Sequence, residues 1–215
     1  AVYAGFRDQT NARAFPGLNF SDEELRAGVR YAHAKGAKVY LALNTYPDSA
    51  RLNDWYTAVD KAAALGCDAI IAAEMAVLDY ATRTHPGLPR HLSVQGSATT
   101  APALKYAFER FGISRAVLPR VLSLQQVERL CERSPVPLEV FAFGSLCIMV
   151  EGRCQLSSYV TGASPNRHGV CSPAKFVRWD EHADGSRSVR LNDVLIDQFQ
   201  PHEPAGYPTV CKGRF

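Results

Sequence analysis

A chain of 215 residues with 47% apolar and 21% charged side chains is long enough for one large domain with a sizeable core, and too apolar to be disordered. A net charge of +3, from 24 basic and 21 acidic residues, is too small to argue for a nucleic acid partner, DNA included, and favours anionic ligands only mildly. No apolar run approaches the roughly 20 residues of a membrane span and no basic-then-apolar signal segment is visible, so an integral membrane protein is not expected; with six cysteines the reading is a reducing, cytoplasmic compartment.

In chain order, Val2–Gly5 reads as a strand already under way. With no initiator Met ahead of it, and CKGRF ending the chain just past a polar turn, the sequence reads as a piece of a longer protein. Further strands are expected at 38–43, 69–73, 91–95, 115–119 and 138–143. Between them lie amphipathic helices. Ser21-Asp22-Glu23-Glu24 forms a capping box opening a helix that Gly36 closes. Residues 50–65 form a second helix ended by Gly66, and 75–84, 101–111 and 124–133 follow the same plan, with Ser123 as an N-cap.

After the second strand, strand centres recur about every 23–30 residues, the spacing of βα units. Mostly apolar strands in such a series predict a parallel sheet covered on both faces. The expected fold class is therefore α/β, an incomplete (β/α)8 TIM-barrel-like sheet, since a full barrel takes around 250 residues. An open doubly wound sheet is the alternative, weakened because no strand is followed by a Gly-rich phosphate turn. After Phe143 the pattern breaks into an irregular segment rich in Gly, Ser and Pro. A β-hairpin is expected within 176–200, turning at Ala183-Asp184-Gly185-Ser186. The division that follows is a βα-repeat core at 1–143 and a cysteine-rich segment at 144–215.

Four of the six cysteines fall in that segment: Cys147, Cys154, Cys171 and Cys211. Small or turn-forming neighbours (Gly144-Ser145, Gly152, Gly169, Gly213) let the backbone bend so that distant thiols converge. Four thiolates suit a tetrahedral zinc or an iron–sulfur cluster. Structural zinc usually takes pairs two to four residues apart, and the gap of six between Cys147 and Cys154 suits ligands spread over a larger object. Separate buried thiols remain the third reading. Cys67 and Cys131 read as core packing.

The runs EVFAFGSLCIMVEGRCQLSSYVTGASPN (139–166), GVCSPAKFVRW (169–179) and AGYPTVCKGRF (205–215) resemble the collagenase-like peptidase family, in particular its ubiquinone-biosynthesis branch. The resemblance extends upstream through DQTNARAFPGLNFS (8–21), LALNT (41–45), RHLSVQGSAT (90–99) and VLPRVLS (117–123), and so covers nearly the whole chain. It implies a barrel-like α/β core and a 4Fe–4S cluster on Cys147, Cys154, Cys171 and Cys211. It also implies a role in oxygen-independent hydroxylation of a quinone precursor during ubiquinone (coenzyme Q) synthesis, as a heterodimer with a related subunit, UbiV. Other branches hydroxylate tRNA or rRNA bases, with prephenate implicated as the hydroxyl donor. Family members carry a further N-terminal βα unit and a C-terminal extension that this sequence lacks.

The family's name invites a peptidase reading, but no G-x-S-x-G turn and no H-E-x-x-H helix is present. His85 and His91, near element ends, read as solvated or capping residues. A non-catalytic scaffold held by its cluster is the further alternative. In a parallel barrel the chemistry lies at the carboxyl ends of the strands. Arg7, Asp8, Asn11, Asn44, Thr45, Glu74, Gln95, Ser97 and Arg120 fall at such ends, and Cys147 follows the sixth strand. Each alone reads as a loop cap, and together beside a cluster they read as a site. Within that set, Arg120 suits a carboxylate on donor or substrate, unless it pairs with Glu139. Gln95 and Asn44 could orient a ring hydroxyl or carbonyl. Asn44, Gln95 and Arg120 are thus the candidate catalytic residues.

Overall fold

In the computed structural model of the protein, residues 1–14, 19–143, 154–163 and 172–206 are described. Six βα-type strands, β1 (Val2–Ala4), β2 (Val39–Leu43), β3 (Ala69–Ala72), β4 (Arg90–Leu92), β5 (Arg115–Val117) and β6 (Leu138–Glu139), form one sheet. Every neighbouring pair is parallel, and the spatial order is the chain order β1-β2-β3-β4-β5-β6. A doubly wound sheet must reverse its strand order at a switch point. This one never does, so the doubly wound alternative falls and the sheet is the curled half of a barrel.

The connecting helices are α1 (Asp22–Ala34), α2 (Leu52–Ala64), α3 (Met75–Thr84), α4 (Ala101–Phe111) and α5 (Leu124–Arg133). Their starts follow from local chemistry. Ser21 and Glu24 exchange a reciprocal side-chain-to-amide pair ahead of α1, and Ser123 and Gln126 do the same ahead of α5. Each such box satisfies two of the four amides that a helix start leaves bare. Gly36 and Gly66 leave α1 and α2 at φ of 70° and 76°, a left-handed turn that costs a glycine nothing.

Strand register sorts the side chains by face. Val39, Leu41, Leu43, Ile70, Ala72, Leu92 and Ala116 point outward into the main core, against Leu25 and Val29 of α1, Val59 of α2, Leu78 of α3 and Leu104 of α4. The alternate residues point into the half-barrel. Tyr40, Ala69 and Ile71 form a separate inner cluster, and the pairings Tyr3↔Tyr40, Ile71↔His91, His91↔Arg115 and Val117↔Glu139 carry that face across the sheet.

Arg90 fixes the rim below β4. It is buried, and its guanidinium donates to the carbonyls of Leu88 (2.7 Å), Phe111 (2.8 Å) and Gly112 (3.3 Å). A cation at the carbonyl end of α4 sits where the helix dipole favours it.

The C-terminal described part holds α6 (Gln155–Thr161) and an antiparallel sheet of β7 (Val177–Glu181), β8 (Arg187–Leu191) and β9 (Val194–Phe199). The hairpin turning at Asp184-Gly185 forms as expected, but it gains a third strand. Asn192 and Asp193 adopt φ of 46° and 65°, the two consecutive positive values of a tight primed turn, and send the chain straight back as β9. Two other expectations change. Cys131 lies exposed, whereas Cys67 is buried as anticipated. His91 is no solvated end residue, since it is buried on the inner face of β4. No helix among the described residues is long and apolar enough to cross a membrane.

Candidate functional site

The carboxyl ends of the strands surround a cavity of about 400 Å³. Asn44, Gln95 and Arg120, named from sequence on three different loops, all line it. Ile71, Val94, Val117, Phe20 and Phe141 supply apolar walls, and Arg13 joins Arg120 in contributing positive charge.

Each loop is held by its own polar contacts. After β1, the Asn11 amide nitrogen donates to the Phe6 carbonyl (3.2 Å) and to Asn19 Oδ1 (2.9 Å), while the Arg13 N–H donates to Asn11 Oδ1 (3.0 Å). Gly5 makes room for this: a Cβ there would lie 2.2 Å from Asn11 Nδ2. Asn44 accepts the Ala12 N–H at 3.0 Å and so ties the β2 loop to the β1 loop. After β4 the Ser93 hydroxyl accepts the Gln95 N–H at 3.2 Å, and Tyr46 donates to the Gln95 carbonyl. Gln95 is only 7% exposed, and its Oε1 is buried with no hydrogen-bond partner among the described residues. Arg120 lies with its guanidinium 4.9 Å from the centre of the Phe141 ring, a cation–π arrangement.

Beneath these residues lies a polar floor. Tyr3 donates to Glu139 Oε1 at 2.5 Å, and Arg115 donates to Glu139 Oε2 at 3.1 Å. Burial and the Glu139 carboxylate push the Tyr3 phenol up to about 12, so it stays a neutral donor. Next to it, Tyr40 meets the His91 ring edge-on at 4.7 Å. Burial, with Arg115 nearby, pushes the His91 imidazole down to about 4. His91 Nδ1 is buried without a partner among the described residues. Glu139 therefore serves Tyr3 and Arg115. Of this floor, sequence reading had named only His91, in another role, and Glu139 as a partner for Arg120. Each of β4, β5 and β6 carries an inward polar residue, but the strands are too short for alternation to signal it.

The remaining strand-end candidates do local work. Arg7 pairs with Glu24 at 2.8 Å, Asp8 accepts from the backbone and hydroxyl of Thr10, and Thr45 donates to the Gln9 carbonyl. Glu74 caps α3 by accepting the Ala76 N–H, and Ser97 sits in a left-handed turn at φ 52°.

Of the four clustered cysteines, Cys147, Cys171 and Cys211 lie outside the described residues. Cys154 is the N-cap of α6, and its sulfur accepts the Ser157 N–H at 3.4 Å. The sulfur thus sits at a helix start with a backbone amide pointing at it, a setting that suits a metal-ligating thiol. Among the described residues, no group of three or more His, Cys, Asp or Glu could hold a metal ion.

Residues 1–188 match the profile of peptidase family U32. The chain belongs to that family. The tRNA hydroxylation protein P of Escherichia coli is 30% identical to it over 94% of this chain and 43% of that protein. A collagenase of Porphyromonas gingivalis is 33% identical over 80% of this chain and 43% of that protein. The chain thus spans about half the length of the curated relatives it matches. Among solved structures, the U32 peptidase Mk0906 superposes with a TM-score of 0.53 at 18% identity, over 64% of this chain and 58% of that one. That likeness places the curled parallel sheet within the U32 fold.

Proposed function

We propose that this U32 chain belongs to a cluster-bearing, oxygen-independent hydroxylase that modifies the ring of a quinone precursor in ubiquinone synthesis, working with a UbiV-like subunit. The observation that carries the reading is the cavity: largely apolar walls, side-chain amides and an arginine at the strand ends, joined by a short stretch of chain after β6 to Cys147. The runs around the four cysteines support it through their resemblance to UbiU-like members of the family. Cys147, Cys154, Cys171 and Cys211 would hold the 4Fe–4S cluster, which when bound supplies one-electron redox chemistry. The chain's own residues bind and orient the ring, with Asn44 and Gln95 as polar contacts, and Arg120 offers its charge to an anionic group such as that of a prephenate-like hydroxyl donor.

A second reading is hydroxylation of an RNA base, favoured by the relative named as a tRNA hydroxylation protein. It is weakened by the overall charge balance of the chain. Single-strand RNA recognition uses a basic groove interleaved with stacking aromatics, and here 24 basic residues are balanced by 21 acidic ones. Among the described residues lining the cavity, the peptidase reading finds no nucleophile beside a base. Ser93 is engaged by the Gln95 N–H, and no His stands among the described residues lining the cavity.

The deciding experiment is deletion of the full-length gene, with growth in the absence of oxygen, followed by measurement of quinones and of modified tRNA and rRNA nucleosides. Loss of quinone with unhydroxylated precursor accumulating, restored by the gene, is expected. Unchanged quinone with a missing hydroxylated nucleoside would transfer the proposal to RNA.

A further inference from the structure

The side-chain amide oxygens around the cavity are not equally occupied. Asn11 Oδ1 accepts from Arg13, Asn19 Oδ1 from Asn11 and Asn44 Oδ1 from Ala12. Gln95 Oε1 alone among them has no donor among the described residues, although Gln95 is 93% buried. A buried acceptor left unmet is costly, and a ligand donor removes that cost. On the floor both Glu139 oxygens already accept, from Tyr3 and Arg115, and His91, whose Nδ1 is also unmet, is not among the described residues lining the cavity. The charge pattern narrows the ligand further. Arg13 and Arg120 line the cavity, and Glu139, the one carboxylate among its described lining residues, is already engaged by Arg115 and Tyr3, so a cationic donor such as an ammonium is disfavoured. The apolar walls of Ile71, Val94 and Val117 suit a flat ring.

We propose that Gln95 is the specificity-determining residue of this cavity, selecting a neutral or anionic aromatic ring that carries a hydroxyl donor and discriminating against the same ring without it. The discrimination comes from the orphaned oxygen: a ring lacking the hydroxyl leaves Oε1 buried and unmet in the complex as well as in the free protein. This rests on the reading that the cavity is the substrate site, and its test is a binding measurement that needs no turnover.

Anaerobically purified full-length protein is titrated calorimetrically with 4-hydroxyphenylacetate, 4-methoxyphenylacetate, phenylacetate and cytidine. The hydroxylated ring should bind about tenfold or more tighter than the other two rings. Gln95→Met should bring the three ring affinities to within about twofold of one another, with phenylacetate affinity unchanged, because a buried thioether accepts a hydrogen bond poorly. Gln95→Glu, which keeps an acceptor, should retain the preference. Circular dichroism melting confirms that each variant is folded. Equal affinities in the unmodified protein, a preference surviving in Gln95→Met, absence of ring binding by folded protein, or cytidine binding ahead of the phenol would each overturn the proposal. Normal quinone in cells lacking the gene would sink the quinone-precursor reading instead, and leave the binding result standing.

Discussion

Tyr3, on the first strand, donates a hydrogen bond to Glu139, on the sixth, at 2.5 Å. The two residues are 136 positions apart and close the half-barrel across its interior rather than through the backbone ladder. Because the bond is to a carboxylate but solvent reaches Tyr3, Tyr3→Phe should cost about 1 kcal/mol, measured by urea unfolding. The pH dependence has a definite sign. The folded phenol ionises near 12 and the reference phenol at 10.0, so the unfolded chain loses its proton first. The stabilisation is whole below pH 10 and is lost as pH rises toward 12. Tyr3→Phe should remove that alkaline slope, and an unchanged slope would show that Tyr3 is not its source.

His91 gives the opposite limb. Its imidazole is held near 4 in the folded protein against a reference of 6.5. The unfolded chain therefore binds the proton first, and the contribution present above pH 6.5 is lost as pH falls toward 4. The loss should be on the order of 2–3 kcal/mol. His91→Phe, which keeps a flat ring against Tyr40 and cannot titrate, should flatten the acid limb of an unfolding-against-pH curve. Were the limb unchanged in that variant, another group would own it.

How much of this could be read from sequence depended on the length of the local pattern. Helices α1 and α5 declared themselves through Ser21/Glu24 and Ser123/Gln126, because a capping box is satisfied within four residues and needs no tertiary partner. That Asn44, Gln95 and Arg120 would share one cavity was legible because a parallel sheet sends every strand end to one mouth. The floor was not. β4 and β5 have three residues each and β6 has two, too few for alternation to reveal which polar residue faces inward, so His91 passed for an end residue. Cys131 misled for a related reason. On α5 the buried stripe runs through Val127 and Leu130, and one further residue turns the side chain about 100° away from it. The third strand β9 hid behind Asn192-Asp193, a turn signal with no glycine.

The cysteines divide into two sets by expected phenotype. Full-length protein purified without air should contain about four iron and four sulfide per chain, as four thiolates around a cubic cluster require. Cys147→Ala, Cys154→Ala, Cys171→Ala and Cys211→Ala should each lose most of that iron. Cys131→Ala should change neither iron nor stability, because the side chain is exposed. Cys67→Ala should keep the iron at a cost of about 1 kcal/mol for the small void left in the core. Stoichiometric zinc with no sulfide would replace the cluster assignment, and bleaching in Cys131→Ala but not Cys211→Ala would overturn the ligand set.

Arg120 carries the last prediction. Its guanidinium lies over the Phe141 ring at the cavity edge, while the Glu139 carboxylate accepts from Tyr3 and Arg115. A planar guanidinium can stack on an aromatic ring and still present its edge to an anion, and an ammonium cannot do both. On the proposed quinone-hydroxylase reading, Arg120→Ala in the full-length protein should leave iron content and subunit binding intact while anaerobic quinone content falls at least about tenfold, through the loss of one charge-assisted contact to the ligand. Arg120→Lys should restore little of it. Quinone and unhydroxylated precursor are measured in cells grown without oxygen, beside the iron content of each purified variant. Normal quinone in Arg120→Ala cells would remove Arg120 from the site, and loss of iron together with quinone would make its role one of holding the Phe141 segment in place.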